Sequence, residues 1–483
     1  MQQGDVRMKL KNKRRKSEII LFVPPSPLIY PRMLCKWLSH TSPLGIGYIS
    51  SILKKEGFQV SCFNLYTGLK KLKSFECIIR ENRPKLIGFS TMTENYNNGI
   101  LLAKVAKNIC SNSTIIFGGP HVTFMDKEVL CNNDCVDIIV RGEGELTMLE
   151  LSNYFVQGKG TLENIKGISY RVNGEIVRTE ARPLIKDLDK LPFPDRDISD
   201  LDGVLSSYEA RNLIITSRGC SGRCKFCVAS ALAGGKYRMR SVDNVVSEIE
   251  DLAKKGYKNM NFGDDTISVD LSRFLKLCNI VKNYLNNWSC ECRVDGMTKE
   301  VARTLANSGC KGLQFGVESG SQELLDRMGK NITIKQIKQA VKWCIEAGLD
   351  VICSLMVGIP EDTMETIKQT IDFAEMLEKE YGAAVIMACT VPYPGTYYFN
   401  HAKDLGLFIS TRNYNLYSTS NAIMDTQHLT RWQIRNVYYE AIIQLFKSMP
   451  EKYKELFGNM SRHSLLKEGY YVPTYSESLE REV

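Results

Sequence analysis

The sequence predicts an α/β protein with three parts. These are a Rossmann-like, doubly wound domain over residues 18–155, a partial (β/α)6 barrel over 206–398, and a mainly helical C-terminal region over 399–483. Three observations carry this reading. Short apolar runs alternate with helical patterns through the first part, as in parallel sheets covered by helices on both faces. From Leu213 a strand-then-helix unit repeats six times, two units short of a closed eight-stranded barrel. A length of 483 residues exceeds one ordinary core and suits two or three domains.

In the first part, Glu18 to Val23 is an apolar strand running into Pro24-Pro25-Ser26-Pro27. Pro43-Leu44-Gly45 opens a helix whose apolar positions are Ile46, Ile49, Ile52 and Leu53, with Gly57 as its C-terminal stop. Strand-like Gln59 to Phe63 and Leu86 to Ser90 follow, then a helix from about Asn97 to Ile109 and a strand from Thr114 to Phe117. The strand ends carry hydroxyls or glycines: Ser90-Thr91, Gly118-Gly119-Pro120-His121 and, after another apolar strand, Gly142-Glu143-Gly144-Glu145. Glycines there let a planar ligand approach the backbone, in the crevice where such sheets bind ligands; each motif is equally readable as a plain turn.

Residues 156–205 read as a linker, with a small hairpin around Asn173-Gly174 and an extended Leu191-Pro192-Phe193-Pro194. Barrel strands are expected at 213–216, 258–262, 288–292, 312–316, 351–357 and 384–389, with helices over 241–255 and 333–346 between them. Thr430-x-x-Gln433 has the form of a capping box for an amphipathic helix ending before Pro450. Residues from about 400 onward are expected to close the barrel mouth.

Composition narrows the classes. Sixteen cysteines spread along a chain without a signal peptide or a membrane-length apolar run place it in a reducing cytoplasm rather than among secreted disulfide scaffolds. Of the formal net charge of +9, the basic tail at residues 1–17 carries +6, from Arg7 to Lys16 against Asp5. A solvated flexible terminus accounts for it, with nucleic acid or an acidic partner as the alternative. The remaining +3 offers no extended nucleic-acid surface and no run of phosphate contacts.

The chemistry concentrates in Ser217-Arg218-Gly219-Cys220-Ser221-Gly222-Arg223-Cys224-Lys225-Phe226-Cys227, directly after the first barrel strand. Three thiols at C-x-x-x-C-x-x-C spacing can converge on one inorganic centre. Structural zinc normally draws on a second knuckle, and none lies nearby. A 4Fe-4S cluster held by three thiolates keeps one iron open. Zinc, an electron-carrier site and unrelated buried thiols are the alternatives. Cys290, Cys292, Cys310, Cys344, Cys353 and Cys389 sit in apolar patterns and read as inert core thiols.

The motif, placed after the first strand of an α/β repeat, resembles the signature of radical S-adenosylmethionine (SAM) enzymes. The first part resembles the cobalamin-binding domain preceding the barrel in one large subgroup of them. The matching pieces, and so the implied cobalamin-binding residues, are Pro43, Leu44, Gly45, Ser90, Thr91, Gly118, Gly119, Pro120, Gly142, Glu143 and Glu145. A D-x-H-x-x-G motif, whose histidine lies beneath cobalt in many cobalamin enzymes, is absent; His121 reads as packed or hydrogen-bonded rather than as a ligand.

The resemblance implies a 4Fe-4S cluster on Cys220, Cys224 and Cys227, which are thereby the catalytic cysteines, with SAM chelating the open iron. It implies SAM-binding groups at Phe226, Gly263, Asp264, Asp265, Arg293, Glu318, Ser319 and Gly358. For Asp264 and Asp265 helix capping is the competing reading, and for Arg293 a salt bridge with Asp295 or Glu318. Tyr393, in Val391-Pro392-Tyr393-Pro394-Gly395 after the sixth strand, is expected at the substrate cavity. The implied activity is C-methylation at an unactivated carbon of a small metabolite, biosynthetic intermediate or peptide, with radical cyclisation, ring contraction or rearrangement as the alternative. A flavodoxin or ferredoxin would supply electrons.

Overall fold

The computed structural model describes residues 16–26, 43–65, 72–200, 213–452 and 454; most of the basic tail, the start of the 206–398 segment and the end of the C-terminal region lie outside the described residues. The first domain is built on an eight-stranded sheet of order β7-β6-β5-β4-β3-β1-β2-β8. Its strands are β1 Ile19–Val23, β2 Val60–Asn64, β3 Leu86–Ser90, β4 Thr114–Gly118, β5 Ile138–Val140, β6 Ile168–Val172, β7 Glu175–Arg178 and β8 Ile198–Asp200. β1 to β5 and β8 run parallel, and β6 runs antiparallel to both its neighbours, β5 and β7. Alternate residues feed two cores. Ile20, Phe22, Ile87, Phe89, Ile115 and Phe117 pack on one face, and Ile19, Leu21, Leu86, Ile116 and Ile138 on the other, as the period of two in a strand dictates.

Strand order reverses between β1 and β3, with β2 on one side and β4 and β5 on the other. That switch point opens a crevice at the carboxyl ends of the strands. The helix expected after Pro43 is Leu44–Lys55, and the backbone turns at Gly57 with φ +89°. Helices Leu72–Asn82, Pro120–Asn132 and Glu145–Gln157 complete the domain and were not read from the sequence. The second carries a kink at Met125, which breaks its apolar periodicity.

The linker reading of 156–205 needs correcting. The hairpin forms, with Asn173 and Gly174 both at positive φ as a tight two-residue turn requires. It is part of the sheet, however, with β6 pairing antiparallel to β5 (Ile138↔Tyr170). At the opposite edge β8 pairs parallel to β2 (Cys62↔Ile198). The segment between the domains thus covers both edges of the first sheet.

The barrel strands are β9 Leu213–Ile214, β12 Asn259–Phe262, β13 Asn287–Cys292, β14 Cys310–Glu318, β15 Asp350–Val357 and β16 Ala384–Cys389, all parallel and adjacent in that order. A two-residue ribbon, β10 Ser217–Arg218 with β11 Arg238–Met239, brackets the cysteine loop. On the outer face Phe262, Trp288, Phe315, Val351, Val357 and Cys389 pack against the helices. The concave face carries polar pairs: Ser289 Oγ donates to Asn261 Oδ1 at 3.2 Å and Gln314 Nε2 to Ser354 Oγ at 3.0 Å. Ser241, Thr333 and Thr430 cap their helices, the last two in capping boxes with Gln336 and Gln433.

After β16 the chain returns to the first domain. Val391, Tyr414, Tyr417 and Ile423 join the core of the first domain, and β17 Phe408–Ile409 with β18 Met424–Asp425 form a small ribbon. The C-terminal helix Arg431–Ser448 then packs against β16 and the helix Met364–Tyr381.

Near the end of that helix Ser448 Oγ donates to Glu378, whose carboxyl burial pushes up from 4.5 to about 7. A carboxyl with a raised folded value holds its proton more tightly when folded. Its penalty is therefore absent below about pH 4.5 and grows as pH rises toward 7. Glu378→Gln is expected to raise stability at pH 8 by ~2 kcal/mol and to flatten the decline between those pH values, measured by urea unfolding across that range.

Candidate cofactor sites

The cysteine loop leaves β10 through Gly219, at φ +82°, where a Cβ would lie 2.3 Å from the carbonyl oxygen of Lys236. Only glycine fits that crossing. A Cβ on Gly222 would lie 3.3 Å from Cys220 Sγ, 3.8 Å from Cys224 Sγ and 3.9 Å from an Arg293 nitrogen. Two of the three sulfurs therefore flank one bare Cα. The Gly222 N–H donates to Cys220 Sγ at 3.3 Å, and the Cys227 N–H to the Cys224 carbonyl at 3.1 Å. Burial pushes the Cys224 and Cys227 thiols up; Lys330 and Arg293 pull Cys224 back, and the Ser230 and Ala229 N–H groups pull Cys227 back. Among the described residues no three His, Cys, Asp or Glu side chains close on a single ion. A cube is less demanding, because it takes each thiolate on a different iron.

Asp264 and Asp265 hold this loop through hydrogen bonds, and the helix-capping role that competed for them does not form. Asp264 is 3% exposed. It accepts from the Thr216 N–H at 3.0 Å, from Thr216 Oγ1 at 2.9 Å and from Ser217 Oγ. Burial pushes its carboxyl up, and these donors with Arg273 oppose that. Asp265 accepts from the Gly219 N–H at 3.0 Å. Neither is a helix cap; Asp270 caps the helix Leu271–Val281. Gly263 lies against Leu213, where a Cβ would come within 2.5 Å, and its N–H donates to the Ile214 carbonyl. Phe226 is half-buried against the barrel core and the Tyr398 cluster.

The remaining SAM-side positions gather near the loop, most of them with protein partners. Arg293 pairs with Asp295 at 2.9 Å and donates to the Lys330 carbonyl, so the salt bridge expected as its alternative forms. Glu318 sits at a bulge of β14 with φ +69° and pairs with Lys330 at 2.5 Å. The pair folds over Gly316, whose Cβ would meet both side chains within 2.7 Å. A left-handed non-glycine residue at a strand end is stored strain of the sort found at functional sites. Ser319 shares a hydrogen bond with Thr370 and accepts from the Ser321 N–H. Gly358, at φ +80°, donates its N–H to Asp362 at 2.7 Å. On the concave face, burial together with Asp265 and Glu318 pushes the Glu291 carboxyl up.

The first-domain crevice encloses ≈ 1040 Å³ including its open mouth. Gly45, Ser90, Gly118, Gly119, Pro120, Gly142, Glu143 and Glu145 line it, as the motifs implied. Pro43, Leu44 and Thr91 do not line it. Pro43 precedes the helix, Leu44 packs with Leu188 and Leu191, and the Thr91 N–H and hydroxyl both donate to the Gly118 carbonyl. Sequence reading missed Tyr48, Ile49, Met148, Ile215 and Arg218. Tyr48 and Ile49, one helical turn beyond Gly45, were open to a periodicity argument; Arg218 was not. No Cβ partner lies within 4 Å of Gly45 or Gly142, so the backbone there is open to a bulky ligand. Leu21, Phe89, Ile116 and Val140 supply an apolar floor. A wide planar group with an amide-bearing rim suits that lining.

His121 stays inside the core. It lies between Tyr96 and Tyr414 at centroid distances of 4.3 and 4.4 Å, with Nδ1 3.3 Å from Thr93 Oγ1. Burial depresses it to about 3, so it is neutral. Tyr393 donates to the Tyr417 carbonyl at 3.3 Å and packs on the first-domain core.

A crevice at a sheet switch point, facing a three-cysteine loop at the head of a six-stranded partial barrel, defines the class: a cobalamin-dependent radical SAM enzyme. The radical SAM superfamily profile matches residues 214–374, and the B12 binding domain profile matches residues 36–152. An uncharacterized methyltransferase of Pyrococcus horikoshii is 32% identical over 446 residues, covering 91% of this chain and 95% of its own. The chain belongs to the radical SAM superfamily, in the branch with an N-terminal B12-binding domain, and its cofactors are a 4Fe-4S cluster, SAM and cobalamin.

The anaerobic magnesium-protoporphyrin IX monomethyl ester cyclase of Cereibacter sphaeroides is 26% identical, over 81% of this chain and 65% of its own. The radical SAM methyltransferase TsrM of Kitasatospora setae, solved with cobalamin and a 4Fe-4S cluster, shares the fold. Its TM-score is 0.68 at 18% identity, covering 90% of this chain and 92% of that one. Family membership removes the zinc and electron-carrier readings that the cysteine spacing left open. Among the described residues no helix is long and apolar enough to cross a membrane.

Asp264→Ala strands three buried donors. It is expected to cost ~3 kcal/mol and to lower iron incorporation at least fivefold, read by iron and sulfide analysis of anaerobically reconstituted protein.

Proposed function

We propose that this protein is a C-methyltransferase acting on an unactivated carbon of a small metabolite, biosynthetic intermediate or peptide. The observation that carries the proposal is the facing of the two sites: Ile215, just after β9, and Arg218, on the ribbon leading into the cysteine loop, line the first-domain crevice itself. The methyltransferase naming of the Pyrococcus relative supports the same reading. In this reading Cys220, Cys224 and Cys227 hold the cluster, and the crevice residues hold cobalamin. The chemistry supplied by the bound cofactors is one-electron cleavage of SAM and methyl transfer from cobalamin.

The chain's own part is positioning. Arg293, fixed by Asp295 beside Gly222, presents a guanidinium for a carboxylate at the loop. The Glu318–Lys330 pair and the Gly358 turn shape the space beyond it. Asn261, Ser289, Glu291, Gln314 and Ser354 offer polar groups to substrate along the concave face of the barrel. The reductant is a flavodoxin or ferredoxin of the cytoplasm. The cyclase relative favours a second reading, ring formation without methyl transfer.

Turnover with methyl-labelled SAM is expected to give 5′-deoxyadenosine, S-adenosylhomocysteine and methylated product in comparable amounts. Product formed without S-adenosylhomocysteine would shift the reading to the cyclase class. Replacing Cys224 by Ala is expected to reduce SAM cleavage at least a hundredfold while cobalamin still binds, measured by chromatography and visible absorption of the same preparation.

A further inference from the structure

Arg218 is the second residue before Cys220, yet its guanidinium reaches across to the first domain. Nη1 donates to Glu143 Oε1 at 3.0 Å and Nη2 to Glu145 Oε1 at 2.6 Å, and the group lies 5.0 Å over the Tyr48 ring. Arg238, paired with Arg218 in the ribbon, donates from Nη1 to Glu143 at 2.9 Å and to the Ile185 carbonyl at 2.7 Å. Glu143 also accepts the Ile185 N–H at 2.7 Å.

Burial works against charge on both Arg218 and Glu143. Their partners outweigh it, holding Arg218 above its ordinary range and Glu143 below its own. Tyr48, Glu143, Glu145 and Arg218 all line the crevice. On the other side the backbone is pinned, Ser217 through its hydroxyl to Asp264 and Gly219 through its N–H to Asp265. The crevice wall and the strand leading into the first cysteine therefore form one ion-paired unit. A ligand that contacts Glu143 or Glu145 in the crevice meets carboxylates already paired with Arg218, and only Gly219, whose N–H is held by Asp265, separates Arg218 from Cys220.

We infer that Arg218 couples the two cofactor sites, so that filling the cobalamin crevice changes the affinity of the cysteine loop for SAM, and the reverse by linkage. Arg218 acts here as a positioning residue, and the inference rests on the cofactor assignments above.

The test titrates SAM against cluster-reconstituted protein with and without hydroxocobalamin, following the SAM-induced change in the EPR spectrum of the reduced cluster. In the wild type cobalamin is expected to shift the SAM dissociation constant at least fivefold. In Arg218→Gln the shift is expected to fall within twofold. A merely structural role would weaken SAM binding equally in both conditions and leave the ratio intact. An equal ratio in variant and wild type, or no shift in the wild type, overturns the inference. If Arg218→Gln takes up no cluster, Glu145→Gln, which removes one of the two anchors and leaves the cysteine strand unchanged, carries the same comparison. Failure of the cofactor assignments is distinguishable, because wild-type protein would then bind no cluster or no cobalamin at all.

Discussion

The carboxylate of Asp264, buried beneath the first barrel strand, is the constraint on which the cofactor loop depends. It gathers the Thr216 N–H, the Thr216 hydroxyl and the Ser217 hydroxyl at one point. With the neighbouring Asp265 it fixes the backbone up to Gly219. A loop that must offer three soft ligands in one orientation needs a rigid root, because each loose rotatable bond spreads the sulfurs over more space. Buried hydrogen bonds to a carboxylate are among the stronger means of supplying one.

The two domains are joined by more than their linker. Polypeptide from between them lies on both edges of the first sheet. Polypeptide from beyond the barrel returns to that sheet's core through Tyr414 and Tyr417, with Asn413 and Tyr414 meeting Asn97 and Glu128. The ion-paired wall at Arg218 is a third junction. The two sheets are thus tied together through the aromatic return and the ion-paired wall as well as through the connecting segment.

Much of this was legible in the sequence where the signal is local. All six barrel strands lie where apolar alternation put them, and the capping box at Thr430 forms as its spacing implied. Cysteine spacing and the glycine-bearing strand ends marked the two sites. What escaped is long-range. Asp264 serves a segment 48 residues earlier in the chain, and Arg218 meets carboxylates 73 and 75 residues away. Periodicity is blind to such pairs. The helix Pro120–Asn132 escaped for a different reason, since its kink at Met125 scrambles the stripe by which amphipathic helices are recognised.

The aromatic return of the chain onto the first domain bears on how such a protein can change over evolutionary time. The cobalamin unit is not a cassette that ends where the barrel begins, since Val391, Tyr414, Tyr417 and Ile423 complete its interior from beyond the last barrel strand. Recombination that exchanged the leading half alone would leave a hydrophobic socket facing the wrong side chains. An exchange confined to the leading half would have to preserve the shape of that socket, which four side chains from beyond the last barrel strand fill.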